Sequence, residues 1–171
     1  KKTILLVALF LGLAGCTEQV SQFQITRSIS SLNSYQHAVV SIHGESLDIT
    51  TQYGFRETAE VMHKKIVSAI RPTGLFNTIN GDSDGSSQLE VDILISEFQY
   101  VSGPKRYLAW FLANNAILGG LIQLKDKDSG KIVGEMSFIE KSGDQKAMLS
   151  DYTGKQINKV TNLTLALLTT I

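Results

Sequence analysis

Residues 89–101 read LEVDILISEFQYV, and this stretch decides the fold class. Its first half has an apolar residue at every second position: Leu89, Val91, Ile93 and Ile95. Because side chains alternate between the two faces of a β-strand, these four share one face. The alternation then slips, since Glu97 falls where an apolar residue would continue that face. We therefore predict one long strand that either carries a bulge near Ser96 or is partly buried on both faces.

An amphipathic helix is predicted on the N-terminal side of this strand. Apolar residues recur there every three or four positions: Phe55, Ala59, Met62, Ile66 and Ile70. This spacing is that of one face of an α-helix. The helix is expected to end near Arg71, because Pro72 disfavours helical backbone in the preceding residue and Gly74 accepts the left-handed conformation.

The remaining elements follow from shorter patterns. Four further strands are predicted, at 37–43, 75–79, 121–127 and 131–139. The last two flank the turn Asp128–Gly130 and form a hairpin, and a second helix is predicted over 151–169. This order predicts an α+β fold with one mostly antiparallel sheet of four to five strands and two helices packed on one face.

Composition limits the function classes. The chain has 171 residues, 43% of them hydrophobic, which is enough for one domain with a sizeable core. Its 16 Lys and Arg residues balance 16 Asp and Glu residues without a basic run, which argues against binding to nucleic acid. A single cysteine excludes a disulfide framework and a cysteine-built zinc site.

The N-terminus has the form of a secretion signal. Two lysines open the chain, and an uncharged apolar run follows that is too short for a comfortable membrane span. The run ends in LAGC at residues 13–16, which resembles the lipobox of bacterial lipoproteins. The resemblance implies a signal peptide over 1–15, cleavage between Gly15 and Cys16, and acyl chains such as palmitate on Cys16.

Thr17 bears on where such a lipoprotein resides. In enterobacterial-type lipoproteins an aspartate after the cysteine retains the protein at the inner membrane, so Thr17 implies the outer membrane, with the lipid-anchored protein facing the periplasm. Residues 16–35 are rich in Ser, Thr, Gln and Asn, and they are predicted to form the lipidated N-terminus and a tether. Three apolar residues would allow a short strand within this tether: Val20, Phe23 and Ile25.

Residues 36–171 are predicted to form a single periplasmic domain. It contains the segment KKIVSAIRPTGLFNTI (64–79) and the hairpin LIQLKDKDSGKIVGEMSF (121–138). A helix ending in a turn before a short strand, then a hairpin with an acidic residue and Gly in its turn, resembles small envelope lipoproteins related to the TolB amino-terminal domain. That group includes the penicillin-binding-protein activator LpoB and several families of unknown function. Over residues 37–170 the resemblance implies a partner-binding or assembly role without enzyme activity.

Sequence patterns for catalysis or metal binding are not present. His37 and His43 are six residues apart on a predicted strand, about 20 Å, which is too far to share a metal ion. Asp82 and Asp84 lie in a polar turn, but Ile93 stands where a calcium loop needs an acidic ligand. No GxSxG or phosphate-binding loop occurs. We expect no enzyme activity, no metal and no cofactor.

Residues 107–122, YLAWFLANNAILGGLI, contain no charge and follow two basic residues. One interpretation is a buried strand and turn that lead into the hairpin. The other is an exposed loop in which Tyr107, Trp110 and Phe111 contact a partner or the membrane surface, as aromatic residues do at interfaces.

Two functions remain open from the sequence. The first is a membrane-anchored, non-catalytic scaffold or assembly-accessory protein that binds another envelope protein. The alternative is a periplasmic module that binds lipid or a small ligand through the apolar region 107–122.

Overall fold

The computed structural model describes residues 20–27, 32–81, 87–100, 116–141 and 152–169. The strands are β1 (Val20–Arg27), β2 (His37–Gly44), β3 (Thr78–Ile79), β4 (Gln88–Gln99), β5 (Ile117–Asp126) and β6 (Ile132–Lys141). The helices are α1 (Leu47–Thr50), α2 (Phe55–Ile70) and α3 (Tyr152–Thr169), with a 3-10 turn at Arg71–Thr73. Within the described ranges, no helix has the length and apolar character needed to cross a membrane.

The six strands form one mixed sheet in the order β1-β6-β5-β4-β2-β3. Strand pairs β1–β6, β6–β5 and β5–β4 are antiparallel, whereas β2 runs parallel to both β4 and β3. The predicted α+β class is confirmed, but the prediction of four to five mostly antiparallel strands matches only roughly. The parallel pairs arise because α2 returns the chain across the sheet before β3 and β4, as in a βαβ crossover.

Strand β1 lies within the segment predicted as a tether. Its residues pair antiparallel with β6, with Phe23 opposite Phe138 and Ile25 opposite Met136. The short strand that the spacing of apolar residues allows there is therefore present. Pairing with β6 gives the backbone of this polar segment hydrogen-bond partners in the sheet.

Strand β4 has a bulge, which is one of the two explanations that the slipped alternation allows. Its register against β5 shifts between Ile95 and Glu97, and the intervening Ser96 is exposed. The extra residue returns Phe98 to the buried face of the strand, where it is 7% exposed. One local irregularity thus keeps both halves of a 12-residue strand in the core.

The two long helices agree with the predicted ones. Met62 and Ile66 of α2 are 1% and 0% exposed, and they share one core with α3 and with the alternating apolar residues of β4. Gly74 adopts a positive φ of 67° after the 3-10 turn, as expected for a residue that ends this helical segment. The single-turn helix α1 was not predicted, because one polar turn leaves no periodic pattern.

The β5–β6 turn is held by a carboxylate. Asp126 accepts hydrogen bonds from the backbone N–H and the hydroxyl of Ser129, both at 2.7 Å, and from the Tyr35 hydroxyl at 3.0 Å. The Ser129 backbone and side-chain hydrogen bonds, followed by that of Tyr35, lower the pKa of Asp126. Burial of the phenol, followed by its hydrogen bond to Asp126, raises the pKa of Tyr35.

Replacing Asp126 with Asn is expected to destabilise the protein at neutral pH and to matter less as the pH falls. A carboxyl whose pKa is lowered in the folded state stabilises that state at every pH above its ordinary pKa of 3.8. This contribution is lost as the pH falls through the folded pKa. Urea unfolding of both proteins between pH 7 and pH 3 measures the difference.

Asp128→Asn is the matched control, because it removes an exposed carboxylate from the same turn. We expect it to change the free energy of unfolding by less than about 0.5 kcal/mol. An Asp126→Asn effect that stays constant down to pH 3 would contradict the assigned role of the carboxylate.

Candidate functional site

The sheet has one face packed against α2 and α3 and one face turned away from them, which we call the open face. Residues Leu89, Val91 and Ile93 of β4 are fully buried on the helix side. The intervening residues Glu90, Asp92 and Leu94 point to the open face, since side chains alternate along a strand. The candidate site lies on this open face.

A buried carboxylate lies near the middle of the open face. The side chain of Asp92 is 9% exposed, and Lys125 lies beside it with Nζ 2.5 Å from Oδ2. The Ser41 hydroxyl donates to Asp92 Oδ1 at 3.2 Å. His43 Nε2 lies 3.7 Å from the same oxygen. The ion pair and the hydrogen bond offset the cost of removing the carboxylate from water.

Hydrogen bonds continue this polar row toward β1. Gln123 Nε2 donates to Glu135 Oε2, and the Thr26 hydroxyl donates to Glu135 Oε1, both at 2.8 Å. Register explains the row, since Asp92 of β4 pairs with Gln123, which pairs with Glu135 of β6. We call the row from Ser41 to Thr26 the polar band. The band consists of two groups, one around Asp92 and one around Glu135, and the side chains within each group hold one another in place.

The polar band contains a serine, a histidine and an aspartate, but not in the geometry of a catalytic triad. In a triad the histidine lies between the serine and the acid, so that it can take the hydroxyl proton. Here the Ser41 hydroxyl and the His43 ring are both directed at the carboxylate of Asp92. Among the described residues, no group of three or more His, Cys, Asp or Glu side chains could hold a metal ion.

A groove of about 770 Å³ adjoins the polar band on the open face. Half-buried Leu94, Leu121 and Ile139 lie along it, and polar side chains such as Gln24 and Glu97 border it. The groove adjoins the β4 bulge, where β4 and β5 lie very close together. A Cβ atom on Gly120 would lie 2.0 Å from the Leu94 carbonyl oxygen, so only glycine fits there.

Sequence reasoning located neither the polar band nor the groove. Ser41 and His43 were visible as polar residues of a strand, but their contact with Asp92 depends on the β2–β4 register. The other two histidines have partners outside the polar band: His37 contacts the Thr78 hydroxyl, and His63 Nε2 lies 2.9 Å from Asn80 Nδ2.

The site residues proposed from the sequence all lie outside the described part of the chain. Gly15 and Cys16 of the lipobox are outside it, and so are the three aromatic residues Tyr107, Trp110 and Phe111. Their roles stay predictions. The described end of the apolar region 107–122 belongs to β5, where Leu118 and Ile122 are 1% and 0% exposed and form part of the core.

Known proteins resemble this chain in fold but not in sequence. No protein-family model and no curated protein matches the sequence. The PelC dodecamer from Paraburkholderia phytofirmans is 12% identical with a TM-score of 0.57, over 87% of this chain and 97% of that chain. A Xanthomonas campestris protein of the DUF330 family is 12% identical with a TM-score of 0.50, over 78% of this chain and 84% of that chain. At these identities the similarity shows that the chain shares their fold.

Proposed function

We propose that the protein is a lipid-anchored envelope protein that acts without catalysis, by binding another envelope protein on its open face. The observation that carries the proposal is the groove of about 770 Å³, in which Leu94, Leu121 and Ile139 lie between polar side chains on the face opposite the helices. An apolar centre within a polar rim is the composition of a protein–protein interface. The neighbouring polar band offers fixed donors and acceptors that can select a partner.

The partner that we propose first is a second copy of this chain. PelC, which has the same fold, is a dodecamer. Anchoring by Cys16 would hold all copies on one membrane and raise their effective concentration for one another. A face that is only half-buried in one copy could then be covered by the next.

The end of the sheet at which Val20 lies supports the membrane part of the proposal. Four neighbouring strands have paired residues at this end. Val20 of β1 pairs with Lys141 of β6, which pairs with Ile117 of β5, which pairs with Gln99 of β4. Val20 follows the lipobox cysteine by only four residues. Gln99, the last residue of β4, and Ile117, the first residue of β5, pair at this end, and the segment 101–115 lies between them in the sequence. This supports the hypothesis that Trp110 and its aromatic neighbours contact the membrane or a membrane-bound partner.

Replacing Leu121 with Glu is expected to weaken self-association by about tenfold or more, because a buried, unpaired charge at the centre of an interface is costly. The side chain is half-buried on the open face, so the fold can keep the new carboxylate in solvent. Light scattering of the lipidated protein in detergent measures the association. Pulldown from detergent-solubilised membranes tests for other envelope partners.

Val61→Glu is the matched control, since it adds the same charge at a 45% exposed position of α2, away from the open face. It is expected to leave association unchanged. Equal association of Leu121→Glu and the unmodified protein, with no partner lost in the pulldown, would rule out the open face as the binding surface.

Binding of a lipid or small ligand is the second candidate function. It is favoured by the volume of the groove, because ligand sites typically measure about 300–1,000 Å³. Mass spectrometry of molecules that copurify with the protein distinguishes the two functions. A stoichiometric ligand that is lost in Leu121→Glu would support the second function, and its absence together with a copurifying protein supports the first.

A further inference from the structure

Strand β1 carries an exposed apolar pair at the edge of the sheet. Phe23 and Ile25 are 57% and 41% exposed, whereas Phe138 and Met136, their partners on β6, are 4% and 1% exposed. Paired residues point to the same face, so the cover that the helices give this face ends at β6. The other face of β1 is polar, with Gln22, Gln24 and Thr26.

The lipobox cysteine limits how far β1 can be from a membrane. Four residue steps separate Cys16 from Val20, which span at most about 14 Å when fully extended. By the same measure, Phe23 lies at most about 25 Å along the chain from Cys16. Within the described part of the sheet, β1 is therefore the strand held nearest to an acyl anchor.

We propose that Phe23 and Ile25 rest on the lipid surface, so that β1 is a second membrane contact beside the acyl chains. The inference depends on the proposed function, because it requires the lipid on Cys16. The apolar pair would enter the boundary between headgroups and acyl chains, while the glutamines on the opposite face stay in water. An aromatic residue next to an aliphatic one suits this boundary.

Contact through β1 also gives the domain a defined orientation. Phe23 and Ile25 project from the helix side of β1, so their contact with lipid turns that side of the β1 edge toward the membrane. The groove beside Leu94 and Leu121 lies on the opposite face of the sheet and would stay accessible to a second anchored protein. The membrane contact and the binding face would thus use opposite faces of β1, whose Gln22 and Gln24 line the groove.

A unique cysteine label tests the contact in the full lipidated protein. Cys16 is the only cysteine, and its sulfur is consumed by the thioether, so Ile25→Cys supplies one free thiol. The protein is reconstituted in vesicles of phosphatidylethanolamine and phosphatidylglycerol and labelled with a bimane fluorophore. Nitroxide-labelled phospholipid then quenches labels in the lipid surface, and iodide quenches labels in water.

We expect nitroxide lipid to remove more than about half of the Ile25 label's emission, and iodide quenching to fall about threefold, as a burial depth of 5–10 Å implies. Two control positions are expected to show the reverse pattern. These are Val61→Cys and Ser68→Cys, both at exposed positions of α2. Phe23→Ser in the Ile25→Cys protein should reduce nitroxide quenching at Ile25, because half of the apolar contact is removed.

Mass spectrometry of the same vesicles separates the outcomes. If Cys16 is acylated but the Ile25 label is as open to iodide as the Val61 label, the β1 contact is wrong and the anchor stands. If the label is protected from iodide but not quenched by nitroxide lipid, and the protection disappears at one protein per vesicle, a second copy covers β1 and the inference is overturned. If Cys16 carries no acyl chain, the proposed function and the inference fail together.

Discussion

Replacing Ile66 with Ala is expected to lower the free energy of unfolding by about 2–5 kcal/mol, which is a large part of the stability of a small domain. Ile66 is 0% exposed near the middle of α2 and belongs to the core that the helix shares with β4 and α3. The truncation removes three methyl or methylene carbons and leaves a cavity that packed neighbours can fill only in part. Equilibrium unfolding in urea, followed by circular dichroism, measures the change.

Val61→Ala on the same helix is the control, because its side chain is 45% exposed. It should change the free energy of unfolding by less than about 0.5 kcal/mol. If Ile66→Ala costs no more than Val61→Ala, the packing of α2 on the sheet is not as the structure has it.

The parts of the fold with a strong periodic signal were predictable from the sequence. The three-and-four spacing around Met62 and Ile66 identified α2, because one helix face is fully buried. The alternation from Leu89 to Ile95 identified β4, and its slip allowed either partial burial on both faces or the bulge that the structure has at Ser96. In both elements the apolar residues recur at the positions that face the core, so their spacing in the sequence predicts which side is buried.

The parts that were missed or incomplete leave weak patterns for physical reasons. β1 is an edge strand whose apolar residues stay largely exposed, so its composition resembles that of a tether. β3 has only two residues, and α1 has only one turn. Whether two strands pair parallel or antiparallel depends on how the connecting helix crosses the sheet, and no single strand's sequence encodes that crossing.

The candidate site was beyond sequence reasoning for a different reason. Asp92 and Ser41 are 51 positions apart, and Lys125 is 33 positions from Asp92. Only the pairing register of three strands brings them together. The proposed lipobox is the opposite case, because its four residues form a local sequence pattern that needs no tertiary context.

Cys16→Ser is expected to abolish incorporation of labelled palmitate completely and to leave a precursor that keeps residues 1–15. The thioether needs a sulfur nucleophile, and the chain contains no second cysteine that could replace it. Acylation of the new N-terminal amine is lost as well, because cleavage between Gly15 and Cys16 follows the first lipid attachment in proteins with a lipobox. Metabolic labelling with palmitate and the mass of the purified protein measure both effects.

Thr17→Ser is the control for this change, since it alters the neighbouring residue and keeps Cys16. It should incorporate palmitate like the unmodified protein.

The acyl chains supply most of the expected membrane affinity. Each buried methylene contributes about 0.8 kcal/mol, so losing several acyl chains removes far more membrane affinity than Phe23 and Ile25 could supply. A protein that begins at residue 17, and so has neither the signal peptide nor Cys16, should therefore leave the membrane fraction. Palmitate incorporation in Cys16→Ser, or its absence from the unmodified protein, would show that the lipobox interpretation is wrong, and the short link from anchor to β1 would lose its basis.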